Sequence, residues 1–205
     1  MAYFEYSAGY FVQAKSSFWP VTESNCPAKL KIIAYNYLGH ACSKTAELDS
    51  DRNAKAGALK CAVSAYEAAA ADPLSLDRKR ASPLRSKHYL SNARHELGKT
   101  LPDGKILMQS LAGQREVKEG ILDLKKGAVS EDLVQLESAN NDLGARLSSR
   151  AITREIEKTA GLQPSNEPAV KGEQQAGNTS LLGPNFQPPA NTPPKSMAPK
   201  GKPNR

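Results

Sequence analysis

The motifs of catalysis are the first thing missing from this 205-residue chain. It has no glycine-rich phosphate loop, no HExxH and no GxSxG, so nucleotide handling, zinc proteolysis and serine hydrolysis all lack a basis in the sequence. Histidine occurs three times, and its spacings do not favour chemistry. His40 and Cys42 stand two apart, which on a helix turns them about 200 degrees away from each other. His88 and His95 share a face but lie about 10 Å apart, too far for one metal ion without a third element. No catalytic, metal or cofactor site is expected. Cysteine is also scarce: Cys26, Cys42 and Cys61 are odd in number and show no CxxC spacing, so a disulfide framework is not expected. Cys42 and Cys61, set in apolar helical patterns, read as small reduced core residues. No run approaches the roughly 20 apolar residues of a membrane span. The opening MAYFEYSAGYFVQAK lacks the basic and aliphatic regions of a signal peptide, which leaves the cytoplasm as the expected location.

What the chain does contain is unevenly distributed. Nine of its 14 prolines fall in residues 164 to 205, together with Gly, Asn, Gln and Lys and a single aromatic, Phe186. That composition predicts a disordered tail, leaving residues 1 to 163 as one helical domain. Seven of twelve aromatics (Tyr3, Phe4, Tyr6, Tyr10, Phe11, Phe18, Trp19) lie in the first 19 positions. Phe4, Phe11 and Phe18 recur every seven residues, which predicts one helix ended by Pro20. At roughly 25 cal/mol per Å² those rings need cover, from this chain or from a partner.

Helical periodicity continues through the domain. Residues 28 to 47 carry Leu30, Ile33, Ala34, Tyr37, Leu38 and Ala41 at amphipathic spacing, and residues 52 to 71 carry Leu59, Ala62, Val63, Tyr66, Ala69 and Ala70. The pair reads as an antiparallel hairpin, stopped at Asp72-Pro73. A further helix over SKHYLSNARHELGK is expected to end at Gly98, a suitable C-cap. Residues 105 to 126 follow, where Gly113 and Gly120 either admit a close neighbour or break the helix. Last comes a helix N-capped by Ser130, stapled by Val129 and Val134, and seamed by Leu133, Leu136, Asn140, Leu143 and Leu147. No strand-like alternation competes, so the fold expected is all-α, an array of helical hairpins with about six helices.

Charge is as local as the aromatics. Residues 77 to 100 hold seven of the Lys/Arg against two acids, within a net charge of +7 for the chain. The stripe of Arg78, Lys79, Arg80, Arg85, Lys87, Arg94 and Lys99 reads either as a solvated face or as a patch for the phosphates of nucleic acid or an acidic membrane surface. Ser82 follows Lys79 and Arg80 and precedes Pro83, a possible phosphosite whose phosphate would cut the charge of that stripe.

Two family patterns are visible in the same residues. Tyr35, Leu38 and Gly39, then Ala62, Tyr66, Ala69 and Pro73, resemble a tetratricopeptide hairpin, though about eleven residues too many separate the halves. The order YFEYSAGYFVQAKSSFWP, AYNYLGHACSKTAE, ALKCAVSAYEAAAADP, SKHYLSNARHELGKTL resembles the central and later helices of the BRO domain, the endosomal-sorting adaptor domain of ALIX-like proteins. BRO domains are longer, and their N-terminal half has no counterpart in this chain. The resemblance implies an all-helical, non-enzymatic module built on a tetratricopeptide-like core. It further implies a protein partner, a helix of the ESCRT membrane-remodelling machinery, and a location in the cytoplasm, peripheral on endosomal membranes. The partner surface is then expected where the aromatic N-terminal helix meets the 28 to 47 helix, at Phe18, Trp19, Ile33 and Tyr37. Lys29, Lys31 and Lys44 flank that strip and suit an amphipathic helix with acidic edges.

Overall fold

Helix formation follows the local signals closely through the middle of the chain and departs from them at its start. The computed structural model describes residues 1–71, 81–127 and 129–161. Among the described residues there are helices and no strand: α1 (Ala2–Ser7), α2 (Phe11–Glu23), α3 (Ala28–Leu48), α4 (Arg52–Ala71), α5 (Ala81–Thr100), α6 (Gly104–Lys125), α7 (Glu131–Leu147) and α8 (Arg150–Thr159). The fold is all-α, as the periodicity requires. Each helix packs chiefly on its neighbours in sequence, α1 on α2, α2 on α3, α3 on α4, α4 on α5 and α5 on α6. At the far end α6 meets both α7 and α8, and α7 also reaches α5. The asp-pro stop after α4 and the tail from residue 164 lie outside the described residues.

The α3–α4 hairpin forms as its pattern predicts. Leu38, Ala41, Leu59, Ala62, Tyr66 and Ala69 are buried in its interface and that of its neighbours. Small residues let the axes approach: a Cβ on Gly39 would stand 2.5 Å from Cε1 of Tyr66, so only glycine leaves room for that ring. The same device resolves the glycines of α6, which is one continuous helix. Cβ atoms at Gly113 and Gly120 would run into Ser91 and Leu84 of α5, so these glycines admit a close neighbour. The helix α7 also matches expectation. Ser130 accepts a hydrogen bond from the Leu133 N–H at 3.3 Å, and Leu133, Leu136, Asn140, Leu143 and Leu147 are all buried.

Five local expectations fail for identifiable reasons. The aromatic N-terminal segment is two helices, because Gly9 takes a left-handed backbone (φ +84) that ends α1. Phe4 and Phe18 therefore part company, at 71% and 7% exposed. Pro20 lies inside α2, near its C-terminus, where its missing N–H removes a single helical bond. Gly98 is interior to α5, with the Leu107 side chain occupying the space a Cβ would need. Val129 and Val134 are at least half exposed, so no staple buries them. Cys42 and Cys61 are joined in a disulfide between α3 and α4, with Cα atoms 5.9 Å apart. The facing stripes of the hairpin bring the two sulfurs together, which spacing along the sequence could not show.

Candidate interaction surface

The first three helices build a nest of rings around a buried imidazole. From α3, Tyr37 stacks on Phe18 of α2 (centroids 5.4 Å, planes 10° apart). The α1 rings Tyr3 and Tyr6 each meet Tyr37 edge-on at 5.5 Å. One turn further along α3, His40 shares a 2.7 Å hydrogen bond, Nδ1 to the hydroxyl, with Tyr66 of α4. Tyr89 of α5 closes the cluster at 4.4 Å from the His40 ring. Burial holds the His40 pKa down at about 3, helped by the positive charges of Lys44 and Arg85, so the ring is neutral at ordinary pH. Burial likewise raises the Tyr6 and Tyr66 hydroxyls above their usual range. This cluster is packing, and it fixes α1 and α2 against α3.

A second polar seam locks α5 to α6 and α7. Asn140 donates from Nδ2 to the Gln114 carbonyl (3.1 Å), while Gln114 donates from Nε2 to the Asn140 carbonyl (3.2 Å). His88 Nδ1 stands 3.4 Å from Asn140 Oδ1. Burial lowers the His88 pKa to about 4, against the opposing effect of that hydrogen bond. Nearby, Arg146 binds Glu96 (3.2 Å) and Asn92 (2.7 Å). Burial alone would raise the Glu96 carboxyl, but the hydrogen bond and charge of His95, with Lys99 and Arg146, outweigh it and hold the pKa at about 2. No fully buried side-chain polar atom of His88, Asn92, Glu96, Gln114, Asn140 or Arg146 lacks a hydrogen-bond partner, which is the signature of a structural network.

The four residues expected to bind a partner divide into two pairs. Phe18 is core and Tyr37, stacked on it, is half-buried, so neither offers a free face of useful size. Trp19 and Ile33 point outward, at 54% and 45% exposed. Leu30 of α3 and Val12 of α2 are exposed as well, at 52% and 60%. Leu30 and Ile33 were legible as members of the amphipathic pattern of residues 28 to 47 and Trp19 as one of the N-terminal aromatics, whereas Val12 was not singled out. Nine of the thirteen large exposed hydrophobics of the described residues fall within the first 48 positions, so the apolar surface is concentrated at the α1–α3 end of the array. Lys29 and Lys31 flank Leu30 and make no ion pair among the described residues, whereas Lys44 bonds Glu47 at 2.6 Å.

The basic stripe looks different in three dimensions. Arg85 pairs with Asp132 (3.2 Å), Lys87 with Glu116, Arg94 with Glu67 (2.8 Å) and Lys99 with Glu96 (3.6 Å). Acids from α4, α6 and α7 thus compensate Arg94, Lys87 and Arg85, and Glu96 of α5 itself compensates Lys99. Arg78, Lys79 and Arg80 lie outside the described residues, and Ser82 falls in the first turn of α5 with its side chain outside them as well. Among the described residues no group of three His, Cys, Asp or Glu could hold a metal ion, and no helix is long and apolar enough to cross a membrane. No family model matches the chain, and no curated protein or solved structure is similar to it.

Proposed function

We propose that the chain is a non-catalytic protein-interaction module that presents the outer face of α2 and α3 to an amphipathic helix with acidic edges. The observation that carries this reading is the segregation of the surface. Nine of the thirteen large exposed hydrophobics of the described residues, Trp19, Leu30 and Ile33 among them, lie in the first 48 positions, and the unpaired Lys29 and Lys31 stand on either side of Leu30 in α3. Exposed apolar surface collected in one place marks interaction sites, whereas single scattered residues do not. Lysines at its margin add attraction for a carboxylate-rimmed partner and exclude a basic one. The BRO resemblance supports the same class of activity, and on that reading the partner belongs to the endosomal sorting machinery and the module works in the cytoplasm at endosomal membranes. The rival, a binder of nucleic acid or acidic membranes through the basic stripe, is disfavoured by the four ion pairs that compensate Arg85, Lys87, Arg94 and Lys99.

Trp19 is the chain's single tryptophan and therefore its own reporter. Titrating dilute protein with a synthetic amphipathic helix, Leu on one face and Glu along both margins, should shift the Trp19 emission to shorter wavelength. Ile33→Asp should abolish the shift and leave the helical circular-dichroism signal unchanged. An unchanged spectrum with the wild-type chain, or tight binding to generic duplex DNA that falls steeply with salt, would transfer the reading to the rival.

A further inference from the structure

We infer that the helix received by this surface is α2 of a second copy of the same chain, so that the protein forms a two-fold dimer through its α1–α3 end; this rests on the interaction reading above. The helix α2 has the required chemistry. Val12, Ser16, Trp19 and Glu23 follow one another at spacings of four, three and four, which puts them in one narrow stripe. That stripe is exposed along its length, while Ala14, Phe18 and Thr22 face the core. It is an apolar ridge with a carboxylate at its C-terminal end. The helix α3, which packs on α2, carries the complement: Leu30 and Ile33 are apolar and exposed, and Lys29 and Lys31 carry the opposite charge. Glu23 makes no ion pair among the described residues, as the two lysines make none. A surface that carries an apolar stripe ending in a carboxylate on α2, and apolar residues flanked by lysines on α3, is complementary to itself. Self-complementarity is what an isologous two-fold contact demands, since each residue must meet its counterpart twice.

Area agrees with this. Phe4, Tyr10 and Trp19 are each more than half exposed, and aromatic side chains carry about 150–250 Å² apiece. With Val12, Leu30, Ile33 and Leu48 the first three helices present on the order of 600 Å² of apolar side chain, spread along their length and at the upper end of what a typical monomer exposes in its largest patch. A standard interface buries about 800 Å² per partner, polar rim included. The opposite end of the array has no such excess. There α8 covers Leu107, Leu143 and Leu147 with Ile152 and Ile156, and leaves Arg154 and Lys158 exposed among the described residues.

Sedimentation equilibrium of the full chain tests the inference, with Trp19 emission followed over the same dilution series. A dimer of about 44 kDa, twice the 22.1 kDa of the chain, should dissociate on dilution as the emission moves to longer wavelength. Ile33→Asp should hold the chain monomeric at every concentration. Glu23→Lys should weaken association at least tenfold, and adding Lys29→Glu and Lys31→Glu to it should restore most of the loss. The rescue distinguishes a charge contact from general damage. A wild-type chain that stays at 22 kDa throughout overturns the dimer. So does a dimer indifferent to both Ile33→Asp and Glu23→Lys, because it uses another face. If the chain is monomeric yet binds the acidic model helix, the interaction reading stands and the second copy is not its partner. If it neither dimerises nor binds that helix, both fail.

Discussion

The closest approach in the core permits a test in which one kind of substitution should act with opposite signs at two glycines. Gly39 and Gly57 are both helix-interior residues, and replacing glycine by alanine there should contribute roughly 0.5–1 kcal/mol by restricting the unfolded chain. At Gly57 nothing lies within 4 Å of the new Cβ, so the gain should appear in full and raise Tm by about 2–3 °C. At Gly39 the Cβ would stand 2.5, 2.7 and 2.8 Å from three ring carbons of Tyr66. That ring cannot retreat freely, since its hydroxyl is tied to His40 at 2.7 Å and its body is 2% exposed. Moving it costs about 1–3 kcal/mol of overpacking, and separating it from His40 strands a buried polar group at a similar cost. Subtracting the helix gain leaves Gly39→Ala destabilised by about 2–4 kcal/mol, a fall of roughly 5–15 °C in Tm for a domain of this size. Thermal melts followed by circular dichroism read both numbers. Because the clash is with one ring, Tyr66→Leu should relieve it, and Gly39→Ala in that background should cost under about 1 kcal/mol. A neutral or stabilising Gly39→Ala in the wild-type chain would refute the packing described for α3 and α4.

Three further outcomes are expected. The imidazoles of His40 and His88, with folded pKa values near 3 and 4 against 6.5 unfolded, take up protons in the unfolded chain first, so stability should decline as pH falls from 6.5 towards 4. Each contributes a slope of up to about 1.4 kcal/mol per pH unit, and a urea-midpoint series showing no difference between wild type and His40→Gln over that range would contradict the burial of His40. Reduction of the Cys42–Cys61 bond, which closes a loop of 19 residues in sequence separation, should cost roughly 3 kcal/mol in a denaturant titration; alkylation of both thiols in the untreated native protein would show the bond absent. Asn140→Ala should cost about 2–4 kcal/mol, because it unpairs His88 and Gln114 inside the α5–α6–α7 seam, and a double-mutant cycle with His88→Leu should show coupling between the two.

Much of the fold was legible because local signals and tertiary packing agree along most of the chain. The α7 seam shows this best: Ser130 caps, acids fill the first turn, and five residues at alternating spacing all turn out buried. Where expectation failed, the deciding contact came from another part of the chain. Gly98 has the look of a C-cap until Leu107 of α6 occupies the space beside it. The heptad of Phe4, Phe11 and Phe18 is a real repeat, but a left-handed Gly9 puts its first member on a separate helix. The disulfide depended on the facing of two helices, and the compensation of the basic stripe on acids 27 and 29 residues away from Arg94 and Lys87, with Asp132 further still.

The candidate site was half legible for the same reason. The amphipathic pattern of residues 28 to 47 names Leu30, Ile33, Tyr37, Leu38 and Ala41 together, but it does not say which of them the core takes. That choice is made by α1 and α2: Tyr3, Tyr6 and Phe18 take the Tyr37 ring inward, and Leu38 and Ala41 turn toward the neighbouring helices. What is left for the outside is Leu30 and Ile33, in the one stretch of α3 where the flanking charges are unpaired lysines. Packing within the chain accounts for only about half of each of these side chains, since Leu30 and Ile33 are 52% and 45% exposed. Their uncovered halves are accounted for by a second apolar surface that meets them, and the stripe of α2 that ends in Glu23 has the spacing and the charge to be that surface.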